Sequence, residues 1–216
     1  MLKYDGIDPN LCELNNHNSP LMLLIKNNGI YYVEMIELFL KNNSVDVNLS
    51  NDQNEFPLYW SVVKYKKNIF DLIINHVNFD PYENNLNDCF YESNGYFSEI
   101  LANMKGIDMN YEKTSSSVTE NILLHAIYQR NKEKLKIIIN HPSFDPIKSK
   151  VIKNIFNIFV MQDLEIFSLL IKFLDFDVNI VSSGKSLFIH SIECGTFELT
   201  RKILNDEKFN PRKDDV

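Results

Sequence analysis

The chain of 216 residues contains little glycine and little cysteine, and each shortage argues against a class of site. Only six glycines are present, no two of them within three residues, so the glycine-rich phosphate and dinucleotide fingerprints are missing. The three cysteines, Cys12, Cys89 and Cys194, are odd in number and share no short spacing. This pattern argues against a disulfide framework or a zinc knuckle and favours a reducing compartment.

Long apolar runs are absent as well. No stretch reaches the roughly 18 apolar residues that a membrane-spanning helix needs. The longest candidate, 155–174, is interrupted by polar residues at Asn157, Gln162, Asp163, Glu165 and Lys172. The first six residues, Met-Leu-Lys-Tyr-Asp-Gly, lack the apolar core of a signal peptide. We therefore predict no membrane span and a cytoplasmic location.

A short apolar–Asp phrase recurs along the chain. The spacing between successive copies averages about 34 residues, which is the period of solenoids built from helix pairs. A repeat of this size cannot bury its apolar face alone, so neighbouring repeats must stack into one continuous core. The spacing predicts a single domain, 1–216, with units 8–45, 46–79, 80–107, 108–144, 145–176 and 177–210. The copies are Ile7-Asp8-Pro9-Asn10, Val45-Asp46-Val47-Asn48, Phe79-Asp80-Pro81, Ile107-Asp108-Met109-Asn110, Phe144-Asp145-Pro146, Phe176-Asp177-Val178-Asn179 and Phe209-Asn210-Pro211.

Each unit contains apolar segments at helical spacing. First helices are predicted at 19–25, 56–63, 121–127, 154–160 and 186–192, and the third unit has only a short, polar candidate near 88–91. Second helices are predicted to end six residues before each repeated Asp, or before Asn210 in the last copy, at Leu40, Ile74, Ala102, Ile139, Ile171 and Leu204. Their buried stripe is predicted at Met35, Ile69, Phe97, Ile166 and Leu199, and Lys134 interrupts it in the fourth unit. The longer segment 110–120 is predicted to be a mobile loop.

These segments resemble ankyrin repeats. The stretches 19–24 (Ser-Pro-Leu-Met-Leu-Leu) and 56–61 (Phe-Pro-Leu-Tyr-Trp-Ser) keep the Pro-Leu pair of the family's Thr-Pro-Leu-His-x-Ala signature. The stretch 164–171 (Leu-Glu-Ile-Phe-Ser-Leu-Leu-Ile) looks like the family's second helix, and only Gly195 holds the usual glycine between helices. The resemblance implies an all-α ankyrin-repeat solenoid of stacked antiparallel helix pairs joined by hairpin-like loops.

The histidines follow the repeat and do not converge on a site. His76 and His141 each precede a repeated Asp by four residues, and His125 and His190 occupy matching positions in their predicted first helices. No nucleophile, base and carboxylate share a local signature. We therefore predict a protein that is not an enzyme, with no catalytic, cofactor-binding or metal-binding residues.

The ankyrin resemblance implies a non-catalytic scaffold that binds another protein on a concave face of loops and first helices. Trp60 is either a core ring or an interface anchor, and burial favours the core. The alternatives are a regulatory or targeting segment of a larger enzyme and a mechanical or cytoskeletal linker. The partner-binding positions that the resemblance implies in this sequence are Ser50, Asp52, Gln53, Glu55, Val63, Lys64, Tyr128, Gln129, Val160, Met161, Ser182, Ser183, Lys185 and Glu193.

Charge is uneven along the chain. Residues 1–129 carry a net charge of −9, whereas residues 130–153 carry +5. The basic stretch is a candidate docking surface for an acidic segment, against the alternative of an ordinary solvated face. Nucleic-acid binding is not predicted, because the overall charge of −7 has the wrong sign. The lysines of this candidate surface are Lys132, Lys134, Lys136, Lys148, Lys150 and Lys153.

Overall fold

A computed structural model describes residues 8–27, 31–115, 118–145, 164–173, 177–182 and 184–211. This part of the chain is mostly helical, with eleven α-helices and two short β-hairpins. The chain divides into two compact units, Met1–Ile107 (unit 1) and Asp108–Val216 (unit 2). None of the described helices is long and apolar enough to cross a membrane.

Unit 1 is built from three helix pairs. Within each pair the two helices pack together, and α3 also packs on α1 and on α5, while α2 packs on α4. First helices thus form one layer and second helices another, with Leu58, Phe70 and Phe90 fully buried among them. The six helices are α1 (Pro20–Lys26), α2 (Tyr31–Leu40), α3 (Pro57–Val63), α4 (Lys67–Ile74), α5 (Leu86–Glu92) and α6 (Tyr96–Ala102).

Unit 2 combines helices with the two hairpins. The α7 helix packs on α8, α8 packs on α9, and α10 packs on α11. Each hairpin consists of two antiparallel strands that lead directly into a first helix. The elements are β1 (Glu112–Ser115), β2 (Val118–Asn121), α7 (Ile122–Tyr128), α8 (Lys132–Asn140), α9 (Leu164–Phe173), β3 (Val181–Ser182), β4 (Lys185–Ser186), α10 (Leu187–Glu193) and α11 (Phe197–Leu204).

The helix ends agree closely with the apolar periodicity. Leu40, Ile74, Ala102 and Leu204 end their helices as predicted, whereas α8 and α9 run one and two residues further. The short polar stretch of the third unit is a helix, α5, because its buried side is apolar at Cys89 and Phe90. The predicted first helix at 154–160 lies outside the described residues.

Two predicted stripe positions behave differently in the structure. Met35 is 49% exposed, whereas Ile36 is fully buried. Ile36 and Leu40 share the buried face of α2, and Met35 lies about 100° around the helix from Ile36. Lys134, by contrast, was predicted to interrupt the stripe and to belong to a basic surface, yet it is only 2% exposed. Its long aliphatic stem can fill an apolar position, so it does not contribute to that surface as predicted.

The described residues of the segment 110–120 include two paired antiparallel strands, β1 and β2, rather than an irregular loop. Lys113 pairs with Glu120, and Thr114 pairs with Thr119. The backbone pairing continues beyond the open end of the two strands, where the amide of Ile122 donates to the carbonyl of Tyr111 at 3.0 Å. Backbone pairing therefore orders this connection as far as the start of α7.

Four of the described first helices begin with a side-chain cap; in α5 the side chain of Asn85 accepts from the amide of Asn87, two residues further on. The side chains of Ser19, Asn121 and Ser186 accept hydrogen bonds from backbone amides three residues further on. These caps satisfy amides that the first turn leaves without a partner. In the second repeat Phe56 stands at the cap position, and Pro57 follows at the first helical position.

The turn between helices uses the left-handed backbone region at one repeated position. Gly195 has φ 65°, and Tyr65 and Arg130, which occupy the same position in other repeats, have φ 54° and 53°. The residue that follows each of them donates its amide to a carbonyl five residues back, as Lys66 does to Ser61. Gly95 also has positive φ, but it is the N-cap residue of α6 and its ψ of −118° lies outside the left-handed helical region.

A lysine of the second repeat caps the first helix of the preceding one. Lys66 Nζ donates to the carbonyls of Ile25 and Asn27, both at 2.7 Å. These carbonyls lie at the C-terminal end of α1, where helices leave acceptors unpaired and favour positive charge. Burial, and secondarily the neighbouring Lys64, lower the pKa of Lys66.

The asparagine that follows the repeated Asp by two residues joins consecutive repeats. Asn48 Nδ2 donates to the carbonyl of Asn78 at 2.6 Å, and Asn48 Oδ1 accepts from the amide of Asp80 at 3.1 Å. One side chain thus binds both a donor and an acceptor of the next turn. We call this pair of hydrogen bonds the asparagine bridge. It recurs from Asn10 to Ser44 and Asp46, from Asn110 to Ser143 and Asp145, and from Asn179 to Lys208 and Asn210.

The Asp of each such phrase orients its asparagine. Asp46 Oδ1 accepts from the amide of Asn48 at 2.8 Å, and Asp8, Asp108 and Asp177 do the same for their asparagines. Short side chains that bind an amide two residues on are typical of tight turns. The repeated Asp is therefore a local turn residue, and the asparagine is the link between repeats.

Replacing Asn48 with Ala is expected to lower the free energy of unfolding by about 2 kcal/mol, because it leaves backbone groups of the next turn unpaired. Asn48 is 7% exposed, so water cannot fully replace its amide. Urea unfolding measures the loss. The control is Asn75→Ala, since the exposed Asn75 side chain bonds within its own helix, to the carbonyl of Asp71. Equal losses in the two variants would contradict a special role for the bridge.

Replacing Gly195 with Ala is expected to lower the free energy of unfolding by about 1 kcal/mol, the cost of placing a side chain in the left-handed region. A Cβ at this position meets no atom within 4 Å, so backbone conformation alone accounts for the loss. Arg130→Gly is expected to change stability in the opposite direction or leave it unchanged. Thermal unfolding measures the direction of the stability change in each variant. A Gly195→Ala variant as stable as the natural chain would contradict this account.

Candidate functional site

The predicted partner-binding residues of unit 1 lie around the start and end of α3. Ser50, Asp52 and Gln53 are exposed in the loop before the helix, and Lys64 is exposed just after it. Glu55 and Val63 are half-buried. Asp52 is fixed by His17, whose Nδ1 lies 2.9 Å from Asp52 Oδ1. The loop thus presents polar groups on a backbone held by the neighbouring repeat.

Lys26 forms the centre of a cation site on this side of unit 1. Its Nζ lies 4.4 Å from the centre of the Trp60 ring, 2.8 Å from Asn18 Oδ1 and 3.3 Å from Glu55 Oε2. An ammonium group is stabilised by an aromatic face and by oxygen acceptors together. Trp60 is half-buried, and its role here is to hold a lysine rather than to fill the core alone.

Glu55 organises the same site from the opposite side. Its Oε2 accepts from Asn51 Nδ2 at 2.8 Å and from Trp60 Nε1 at 3.2 Å. Asn51 is buried, and it also donates to Asn18 at 2.9 Å, which links the loops of two consecutive repeats. The carboxylate therefore has a fixed orientation before any partner binds.

Tyr59 lies next to this cation site, on α3, the helix that packs against α5. Its ring meets that of Trp60 edge-on at 5.8 Å between centres. Burial, and then the negative charges of Glu92, Glu55 and Asp88, raise the pKa of the Tyr59 hydroxyl to about 12. We refer to Tyr59 and Trp60 with the surrounding charged groups as the aromatic face, whose charged members are Lys26, Glu55, Lys64, Asp88 and Glu92.

The sequence did not single out most of the aromatic face. Only Glu55 and Lys64 were among the predicted positions, and Trp60 was assigned mainly to the core. Asp88 and Glu92 come from α5, the helix that the sequence left least certain, and they are four residues apart on one side of it. The sequence signal that could have indicated this face was the pair of acidic residues four apart on α5, the first helix that follows the one carrying Tyr59 and Trp60.

In unit 2 the predicted positions are divided between two places. Tyr128 is 44% exposed at the end of α7, and Gln129, the next residue, is exposed as well. Lys185 of β4 forms an ion pair at 2.7 Å with Glu193, the last residue of α10. Ser182 lies in β3. Val160, Met161 and Ser183 lie outside the described residues.

The predicted basic surface is only partly present in the described residues. Lys132 forms an ion pair with Glu165 of α9, and Lys136 is exposed on α8. Lys134 is buried, as stated above. The remaining predicted members, Lys148, Lys150 and Lys153, lie outside the described part of the chain.

The histidines make local contacts. Asn78 and Ser143 donate their backbone amides to Nδ1 of His76 and His141, respectively, so these two histidines occupy one repeated turn. Among the described residues, no group of three or more histidine, cysteine or acidic side chains is placed to hold a metal ion.

Comparison with known proteins returned no match to a family model, to a curated protein or to a solved structure.

The raised pKa of Tyr59 predicts a pH-dependent contribution to stability. The neutral hydroxyl is favoured in the folded state, so this contribution is full below pH 10, the ordinary pKa, and is lost as the pH rises to about 12. The stability advantage of the natural chain over Tyr59→Phe is therefore expected to shrink across that interval. Urea unfolding of both proteins at several pH values measures it. A constant difference would contradict the shift.

Proposed function

We propose that this chain is a non-catalytic, ankyrin-like array that binds another protein on the loops and first helices of its repeats. The helix pairs, the hairpins that lead into first helices and the asparagine bridges support this architecture. Cys12, Cys89 and Cys194 are all thiols rather than disulfides, which supports a reducing compartment, in keeping with a cytoplasmic protein.

One observation carries the proposal. Residues at the end of first helices are exposed and differ in chemistry at matching positions, as Lys64 and Gln129 do, and as Tyr128 and Glu193 do. The helices that hold them keep the same buried face, so the backbone presents variable side chains at a constant position. Repeat proteins use such surfaces for specific binding.

Tyr128→Ala and Gln129→Ala are expected to weaken partner capture while changing the free energy of unfolding by less than about 0.5 kcal/mol, because both residues are exposed. Loss of an interface tyrosine commonly weakens binding about tenfold or more. Capture from native cell lysate, with quantification of the partner that the natural chain retains, measures the effect.

The matched core variants are Ile138→Ala and Leu170→Ala. Both side chains are fully buried, so each truncation is expected to cost about 2 to 5 kcal/mol in stability. Equal destabilisation by surface and core variants would contradict the proposed orientation of the helices. Unchanged capture by both surface variants would instead favour a rod or linker function.

A further inference from the structure

The net charge of the chain is confined to one of its two units. Residues 1–107 contain 7 lysines and 14 acidic residues, which gives −7. The remaining residues contain 15 basic and 15 acidic side chains, so they are neutral overall. Unit 1 therefore attracts positively charged molecules over a distance set by ionic strength.

The aromatic face is where unit 1 holds the ammonium group of its own Lys26. Lys26 is seated on the Trp60 ring and on Glu55, at 4.4 Å and 3.3 Å. A second lysine, Lys64, lies 5.6 Å from the same ring. The chemistry of the site is thus that of ammonium recognition, by an aromatic ring combined with a carboxylate.

We propose that the aromatic face of unit 1 binds a lysine-rich segment of a partner protein. This inference rests on the proposed protein-binding function and specifies the chemistry of the partner. A lysine of the segment is placed at the Tyr59 ring of α3, the helix that packs on α5, which carries Asp88 and Glu92.

Charge complementarity selects this partner. Nucleic acid is repelled by the negative potential of unit 1, because its phosphates carry the same sign. Acidic segments are disfavoured for the same reason. A lysine-rich segment gains from both the long-range field and the local contacts, since the aliphatic stem of lysine also packs on aromatic rings.

Trp60 provides a local reporter for the test, because it is the single tryptophan of the chain and lies beside Tyr59. The probe is a synthetic peptide of alternating lysine and glycine, compared with its glutamate counterpart. The lysine peptide is expected to change Trp60 emission saturably, and the glutamate peptide is not. Calorimetry measures the same affinity independently of fluorescence.

Two pairs of variants locate the binding. Glu92→Gln is expected to lower the affinity for the lysine peptide about fivefold. The control, Glu99→Gln, removes an equal charge from an exposed position on α6 and is expected to lower that affinity less than about twofold. At constant charge, Tyr59→Leu is expected to weaken binding about threefold and Tyr59→Phe, which keeps a ring, to leave it nearly unchanged. Thermal unfolding confirms that each variant folds.

Equal weakening by Glu92→Gln and Glu99→Gln would overturn the proposal, because net charge alone would then explain the attraction. Equal affinities of the Tyr59→Leu and Tyr59→Phe variants would also overturn it. If the lysine peptide fails to bind while lysate capture still depends on Tyr128 and Gln129, this inference fails and the proposed protein-binding function stands.

Discussion

Two hydrogen bonds made by one asparagine side chain fix the stacking of consecutive repeats wherever the repeated phrase carries that asparagine. The described helices are short, from 7 residues in α1 to 10 residues in α2, and isolated helices of that length are marginal in water. Packing between helices must stabilise them, and packing requires that neighbouring repeats keep a fixed register. The asparagine bridge fixes that register through backbone groups, so it does not depend on which apolar residues fill the core.

The spacing of the repeats follows the presence of the asparagine. The two shortest intervals between successive phrases run from Asp80 to Asp108 and from Asp145 to Asp177. Both begin at a phrase in which another residue, Tyr82 or Ile147, stands in place of the asparagine. Neither side chain carries an amide, so neither can form the bridge. The two shortest repeats are thus the ones whose opening phrase cannot form the asparagine bridge.

Much of the secondary structure could be predicted from the sequence, because helix position is encoded by local apolar spacing. The ends at Leu40, Ile74, Ala102 and Leu204 are examples. Met35 was wrongly predicted to be buried because its position was aligned with the buried residues of other repeats. In α2 the buried face begins one residue later, at Ile36. The aromatic face could not be predicted in the same way. It joins Lys26, Tyr59 and Glu92 from three repeats, and their distances depend on how the helices stack.

The asparagine bridges and the lysine cap have a consequence for how the chain folds. Each described bridge joins positions separated by 29 to 36 along the sequence, and the cap from Lys66 to Ile25 spans 41. Closing loops of this size costs little entropy beyond that of one repeat, since the cost grows only with the logarithm of loop length. Two repeats joined by a bridge can therefore fold together at a rate set by local loop closure rather than by the length of the whole chain.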